Sequence, residues 1–190
     1  MEAFLISTGV VALGEMGDKT QLLAFLLAAR FKRPAPIVCG IFVATLVNHA
    51  CAGALGTWIA ARLGADILRW TVGLSFLAMA LWMFVPDNAD ELATQRRQRF
   101  GVFGTTALAF FLAEMGDKTQ IATVALAARY HDLLPVVAGT TLGMMLADVP
   151  AVFLGGRFAA RVSMPLVHGI AALVFGVLGV LALLDVGRVF

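Results

Sequence analysis

The sequence Glu-Met-Gly-Asp-Lys-Thr-Gln stands at residues 15–21 and recurs unchanged at residues 114–120. Both copies, the first motif and the second motif, lie inside stretches apolar enough to cross a membrane. A charged side chain at bilayer depth costs about 2.5–3.5 kcal/mol even on insertion scales, so such residues are functional by default. Two identical clusters of two acids and a lysine therefore indicate ion handling.

The composition places the whole chain in a lipid bilayer. Of its 190 residues, 61% are hydrophobic and 14% are charged, against about a quarter charged in soluble domains. The apolar stretches are long enough to cross the hydrocarbon, and their uniform apolarity favours helices over a barrel. We predict an all-α integral membrane protein with six transmembrane helices, near residues 3–29, 35–61, 67–85, 102–128, 134–158 and 164–184. The chain has no basic patch large enough to bind nucleic acid.

An internal repeat relates the two halves with an offset of 99 residues. Residues 15–30 and 114–129 are identical at 11 of 16 positions, and Gly40 and Phe76 align with Gly139 and Phe175. Each half then has three spans, and an odd number of spans turns the second half upside down in the membrane. We predict a first three-helix repeat at 1–86, a cytoplasmic linker at 87–101 and a second, inverted three-helix repeat at 102–190.

The loop cations predict the orientation. If the N-terminus is outside, eight cationic residues lie in internal loops: Arg30, Lys32, Arg33, Arg96, Arg97, Arg99, Arg157 and Arg161. Four lie outside: Arg62, Arg69, Arg129 and Arg188. Because cytoplasmic loops carry the excess of Lys and Arg, both termini are expected outside.

The motif residues form a polar stripe if the helix is continuous. Glu15, Asp18 and Lys19 then share one face, which Gln21 extends, whereas Thr20 points elsewhere unless the helix is broken. Gly17 weakens the helix at this point. The second motif presents a matching stripe, and an inverted two-fold would bring both stripes together at the centre. Its members are Glu114, Asp117, Lys118 and Gln120, with Thr119 in the place of Thr20.

The two stripes supply four carboxylates and two amides, all of them oxygen donors. Oxygen-rich sites suit hard divalent cations such as Ca²⁺, Mg²⁺ and Mn²⁺. Four carboxylates and two lysines leave a charge of −2, which one divalent ion neutralises. When the metal departs, crowded and buried carboxylates should take up protons, which makes proton-for-metal exchange a hypothesis. The lysines either hold the acids in place between transport events or serve as structural anchors, and Glu–Lys pairs that pin helices together are the structural alternative.

Three polar residues outside the motifs are candidates for an ion or proton path. Asn48 and His49 lie in the middle of the second predicted span, and Asp148 aligns with His49 in the repeat. An unpaired acid at this depth indicates a functional role for Asp148, with a local hydrogen bond as the alternative. For His49, a satisfied hydrogen bond between helices is the simpler interpretation.

The doubled Glu-x-Gly-Asp-Lys-Thr, 99 residues apart in a six-helix chain, resembles the Gdt1/TMEM165 family, formerly the uncharacterised family UPF0016. The resemblance implies divalent cation transport, of Mn²⁺ and Ca²⁺, in exchange for protons. It also implies that Glu15, Asp18, Glu114 and Asp117 are the metal-binding acids, while Lys19, Thr20, Lys118 and Thr119 complete the motifs. The lack of a long N-terminal extension resembles the bacterial branch, whose members include manganese exporters, and implies the bacterial inner (plasma) membrane.

The leading prediction is a secondary transporter, not an enzyme, that moves Mn²⁺ out of the cytoplasm by alternating access in exchange for protons. The metal is its substrate, and we predict no resident cofactor. A Ca²⁺/H⁺ antiporter and a passive divalent cation channel are the alternatives within transport. An intramembrane aspartyl protease is the alternative outside transport, and the sequence disfavours it. Such an enzyme needs two close carboxylates that share a proton, and it has no need of the duplicated Glu and Lys. The sequence leaves the oligomeric state open.

Overall fold

The computed structural model describes residues 1–84, 100–154 and 164–184, and the regular secondary structure in these ranges is helical throughout. This confirms the predicted all-helical class. Of the predicted linker, only residues 100 and 101 fall within the described ranges. The helices are α1 (Glu2–Glu15), α2 (Lys19–Phe31), α3 (Pro34–Ala60), α4 (Ala65–Trp82), α5 (Gly101–Glu114), α6 (Lys118–Tyr130), α7 (Leu133–Leu154) and α8 (Met164–Leu183).

The first motif interrupts its helix. α1 ends at Glu15, Met16 is extended, and Gly17 has a φ of 88°. α2 begins at Lys19 with Asp18 as its N-cap. Positive φ is easily adopted by glycine, and aspartate is a favoured N-cap, so this sequence ends one helix and starts the next. The predicted span at residues 3–29 is therefore built from two helices, with the break at Gly17, where the sequence indicated a weak point.

The second motif produces the same interruption. α5 ends at Glu114, Met115 is extended, and Gly116 has a φ of 77°. α6 begins at Lys118 with Asp117 at the N-cap position. Because two separate segments with one sequence break in one way, the break is encoded locally by these seven residues.

The broken helices are too short to cross a membrane singly. α1 and α2 have 14 and 13 residues, so each is about 20 Å long at 1.5 Å per residue, against about 30 Å of hydrocarbon. A crossing at this point therefore needs both halves of the pair. By length and apolar composition, three of the described helices could each span a membrane alone: α3, α4 and α7 over Leu133–Phe153.

Helix packing repeats with the offset of the sequence. α5 packs on α3, and α1 packs on α7. Gly40 of α3 lies against Thr106 of α5, and Gly139 of α7 lies against Ser7 of α1, so the two contacts are related by 99 residues. A Cβ atom added at Gly40 would come 2.8 Å from Thr106, and one added at Gly139 would come 3.0 Å from Ser7. Glycine at both positions lets the helices approach closely, as small residues do in membrane interfaces.

The third pair of equivalent helices, α4 and α8, pack on each other. Phe76 and Phe175, again 99 residues apart, are buried with ring centroids 6.2 Å apart. Large apolar side chains on the outer faces of these helices are exposed, as expected for surfaces that face lipid. They include Leu74, Leu81, Leu173 and Val177.

Candidate metal centre

The two helix breaks carry four acids into the interior of the bundle. Glu15 and Glu114 end α1 and α5 and are both fully buried, with 0% of their surface exposed. Asp18 and Asp117 stand at the N-caps of α2 and α6 and are also buried. Each break thus places one acid at the end of a helix and a second acid at the start of the next helix.

Reciprocal ion pairs join the two motifs. Lys19 Nζ lies 3.4 Å from Asp117 Oδ1, and Lys118 Nζ lies 3.8 Å from Asp18 Oδ1. Each lysine thus reaches the aspartate of the other motif. These contacts bring the two motifs together, although each helix is broken and the continuous polar stripes are not formed.

Three carboxylates converge on one point. Glu15, Glu114 and Asp117 each offer an oxygen, and these oxygens lie within 4.8 Å of one another. We call these residues the carboxylate triad. In the part of the chain that the structure describes, one carboxylate oxygen of each has no hydrogen-bond partner: Glu15 Oε2, Glu114 Oε1 and Asp117 Oδ2. Like charges at such separations repel, so the arrangement favours a bound cation or bound protons.

The motif threonines orient the two glutamates. Thr20 Oγ1 donates to Glu15 Oε1, and Thr119 Oγ1 donates to Glu114 Oε2 at 3.4 Å. Both threonines are fully buried. The helix break turns them toward the glutamate that precedes them, which is the condition under which Thr20 was expected to join the site.

The motif glutamines close the helix breaks. Gln21 Oε1 accepts a hydrogen bond from Gly17 N at 3.1 Å, and Gln120 Oε1 accepts one from Gly116 N at 2.8 Å. In addition, Gln21 Nε2 donates to the carbonyl of Ala147 at 3.0 Å. Both amide oxygens, counted as donors to the metal in the sequence analysis, are thus engaged with the backbone in this structure.

The three polar residues outside the motifs have different surroundings. Asn48 Nδ2 donates to the carbonyl of Phe111 at 3.1 Å and so ties α3 to α5. His49 and Asp148 are fully buried, and among the described residues neither has a hydrogen-bond partner for its side-chain nitrogens or oxygens. The hydrogen bond between helices expected for His49 is therefore not found in the described part of the chain.

The donor set fits a hard divalent cation. Every converging ligand atom is a carboxylate oxygen, and carboxylates are the ligands that Ca²⁺, Mg²⁺ and Mn²⁺ prefer. That Glu15, Asp18, Glu114 and Asp117 bind the ion stays a prediction. The geometry distinguishes among them, because Asp18 lies outside the triad. Its Oδ1 instead accepts a hydrogen bond from the backbone N–H of Lys19 at 2.8 Å.

Sequence reasoning missed the cross-pairing of the lysines and the orienting threonines. Both depend on the break at Gly17 and Gly116, and the signal for it was present as a glycine directly before a favoured N-cap residue. The partners across the bundle had no signal in a single sequence, because they follow from tertiary packing.

Buried acids at paired helix breaks, inside an apolar helical bundle, are typical of membrane transport proteins. Comparison with known families gives the class a name. The family model described as "Divalent cation/proton antiporter GDT1" matches residues 3–91 and 102–188, and the chain belongs to this family. The family is one of transporters, which agrees with the prediction that the chain is not an enzyme.

Two relatives are similar over most of the chain. A protein of Vibrio cholerae named "Putative manganese exporter" is 49% identical over 177 residues, which cover 92% of this chain and 87% of the relative. A GDT1-like protein of Synechocystis is 29% identical, over 92% of this chain and 93% of the relative. No solved structure matches the chain.

Proposed function

We propose that this protein exports Mn²⁺ from the cytoplasm by alternating access, in exchange for protons. The observation that carries the proposal is the carboxylate triad, which takes one glutamate from each motif and one aspartate from the second. A site shared by two halves of a bundle changes shape when the halves move against each other. That is what a carrier needs in order to bind an ion on one side and release it on the other.

The proposed architecture is a pair of inverted three-helix repeats that together cross the membrane six times. In it, α1 with α2 and α5 with α6 each make one crossing in two halves. The equivalent contacts of Gly40 and Gly139 support a two-fold relation between the repeats. In transporters of this plan, broken helices meet near the membrane midplane, where half-helix C-termini and freed carbonyl groups attract cations.

Charge balance supports a divalent ion as cargo. The four motif acids and two lysines sum to −2 when all are ionised, and one Mn²⁺ cancels this charge. When the ion leaves, desolvation and mutual repulsion favour protonation of the buried carboxylates. Metal and protons therefore compete for the same oxygens, so movement of the metal one way returns protons the other way.

The choice of manganese and of export rests on similarity. The relative from Vibrio cholerae, 49% identical, is named for manganese export. Carboxylate oxygens also suit Ca²⁺, so Ca²⁺/H⁺ exchange at the same site is the second candidate. The proposed location is the bacterial inner membrane with both termini outside, as the distribution of loop cations predicts.

A flux assay in liposomes tests the proposal. The purified protein is reconstituted with a pH-sensitive dye inside, and Mn²⁺ or Ca²⁺ is added outside across an imposed pH gradient. We expect Mn²⁺ movement coupled to opposing proton movement, and loss of both in Glu15→Gln and Asp117→Asn. Asp66→Asn is the matched control, because Asp66 is an acid of α4 whose side chain is 91% exposed and outside the site.

Each outcome of the flux assay has a distinct interpretation. Mn²⁺ flux without opposing protons would leave a channel or uniporter in place of an antiporter. Faster proton-coupled flux of Ca²⁺ than of Mn²⁺ would replace the cargo. Normal transport by Glu15→Gln would remove the carboxylate triad from the mechanism.

A further inference from the structure

Asp148 is a buried acid that lies outside both motifs. It stands in α7 with 0% of its surface exposed, and neither of its carboxylate oxygens has a hydrogen-bond partner among the described residues. Burying an ionisable group without partners is costly, so a residue that only fills space at this position would be apolar. Asn48, by contrast, is buried on α3 with a hydrogen bond to another helix.

The packing of α7 brings Asp148 close to the proposed metal site. α7 packs on α1 and α2, which flank the break of the first motif, and on α6, which begins within the second motif. The residue before Asp148, Ala147, accepts a hydrogen bond from Gln21 of the first motif. Asp148 also lies within electrostatic range of Glu15 and of Glu114, the two glutamates of the carboxylate triad.

Asp148 has no acidic counterpart in the first repeat of the sequence. The equivalent position in α3 is His49, so the internal symmetry that places every motif residue twice places this carboxylate once. Hard divalent cations take about six to eight oxygen ligands, more than the three carboxylates of the triad supply. Asp148 is an acid outside the motifs that lies within electrostatic range of both glutamates. Its carboxylate is therefore the candidate for one more oxygen ligand.

We propose that Asp148 supplies a further oxygen ligand to the transported divalent cation, from α7 and outside the repeated motif. The inference rests on the proposed function, because it concerns the same ion. Asp148 is not one of the three residues whose oxygens converge within 4.8 Å. Coordination therefore requires the Asp148 side chain to approach Glu15 and Glu114 when the ion is present.

Two substitutions at this position separate an oxygen ligand from a charge. Asp148→Asn keeps an oxygen donor, whereas Asp148→Leu keeps neither oxygen nor charge. With MnCl₂ titrated into protein in lipid nanodiscs by calorimetry, we expect Asp148→Leu to weaken binding at least about tenfold more than Asp148→Asn does, because the amide loses the charge but keeps an oxygen. Thr141→Val is the matched control, because Thr141 is a buried polar residue of α7 whose Oγ1 has no hydrogen-bond partner in the described part of the chain.

The folded state is checked by size-exclusion chromatography and thermal unfolding without metal, and Asp148→Ala repeats the test if the leucine variant does not fold. Binding within twofold of wild type in Asp148→Leu would overturn the inference. Equal weakening in Asp148→Asn and Asp148→Leu would also overturn it, since the charge and not the oxygen would then matter. If wild type itself binds no Mn²⁺, the proposed function fails, which is a different result from an unaffected leucine variant.

Discussion

The first and second motifs have one sequence, one backbone break and two different environments. Lys118 is 2% exposed and faces Asp18, whereas Lys19 is 20% exposed and faces Asp117. Asp18 accepts a hydrogen bond from the first N–H of α2, whereas Asp117 makes no such cap and joins the carboxylate triad instead. Gln21 reaches across to α7 through Ala147 in addition to closing its break.

The comparison separates what seven residues encode from what the bundle adds. The break is local, because both copies form it. The partners of each side chain are tertiary, because they differ between the copies. For a carrier with inverted repeats, such a difference is expected in any one conformation, since the halves exchange environments when the site changes the side it faces.

The largest effect should come from the buried lysine. Lys118→Met removes the cation facing Asp18 in a site almost without solvent, and loss of one partner of a buried pair costs about 3–5 kcal/mol. Lys19→Met should cost less, because the Lys19 side chain is 20% exposed and its ion pair is partly screened, although Asp117 itself is buried. Unfolding in mixed micelles titrated with SDS, without metal, measures both free energies.

A double variant serves as the control for this pair. Lys118→Met with Asp18→Asn should recover most of the loss, because it removes both charges of one ion pair together. Equal destabilisation by the two lysine variants would show that the two motifs are equivalent in energy despite their different burial.

The aspartates should differ in metal binding. Asp117→Asn removes a charged oxygen from the triad and should weaken Mn²⁺ binding about tenfold, which corresponds to about 1.4 kcal/mol. Asp18→Asn should weaken it by about threefold or less, because asparagine caps a helix as well as aspartate does and Asp18 lies outside the triad. Calorimetric titration with MnCl₂ compares the two, and a larger loss in Asp18→Asn would reverse the assignment.

The two glycines should behave alike. Gly17 and Gly116 have φ of 88° and 77°, where a residue with a side chain is strained by about 1–3 kcal/mol. Gly17→Ala and Gly116→Ala should therefore each cost about 1 kcal/mol in the same SDS titration. A large cost in one and none in the other would mean that the break is not a property of the motif sequence alone.

The sequence was sufficient for the helical class and for the meeting of the motifs. The doubled motif and the apolar stretches predicted a helical bundle with a shared polar site. Charged side chains at bilayer depth are costly and therefore functional by default, and the internal repeat predicted that the second motif meets the first. The predicted polar stripe did not form, because it assumes helical spacing through Gly17, where the helix breaks. Glycine followed by an N-cap aspartate competes with helix propagation, and in this chain that local preference prevails.

The remaining details of the site follow from three-dimensional packing. No pattern in one sequence pairs Lys19 with Asp117 and not with Glu15 of its own motif, since the choice depends on how the two breaks face each other. The burial of Asp148 likewise depends on how α7 packs on the helices that carry the motifs. These relations link residues on different helices, from 34 to 133 positions apart, which is beyond the reach of helical spacing rules.

The glutamines provide the smallest contrast between the motifs. Gln21 and Gln120 each accept a hydrogen bond from the glycine N–H of their break, but Gln21 also donates to Ala147. Glu substitution at either position keeps the acceptor oxygen and removes the amide donor, so Gln21→Glu loses a contact to α7 that Gln120→Glu does not have. A buried hydrogen bond contributes about 1 kcal/mol, so Gln21→Glu should destabilise the protein by at least about that much more than Gln120→Glu in the SDS titration. Gln21 is buried and Gln120 is partly exposed, so the added carboxylate also costs more at Gln21 and acts in the same direction. Equal costs would mean that the Gln21–Ala147 contact does not hold α7 against the first motif, and the position of Asp148 would then depend on the packing of α7 against α1 alone.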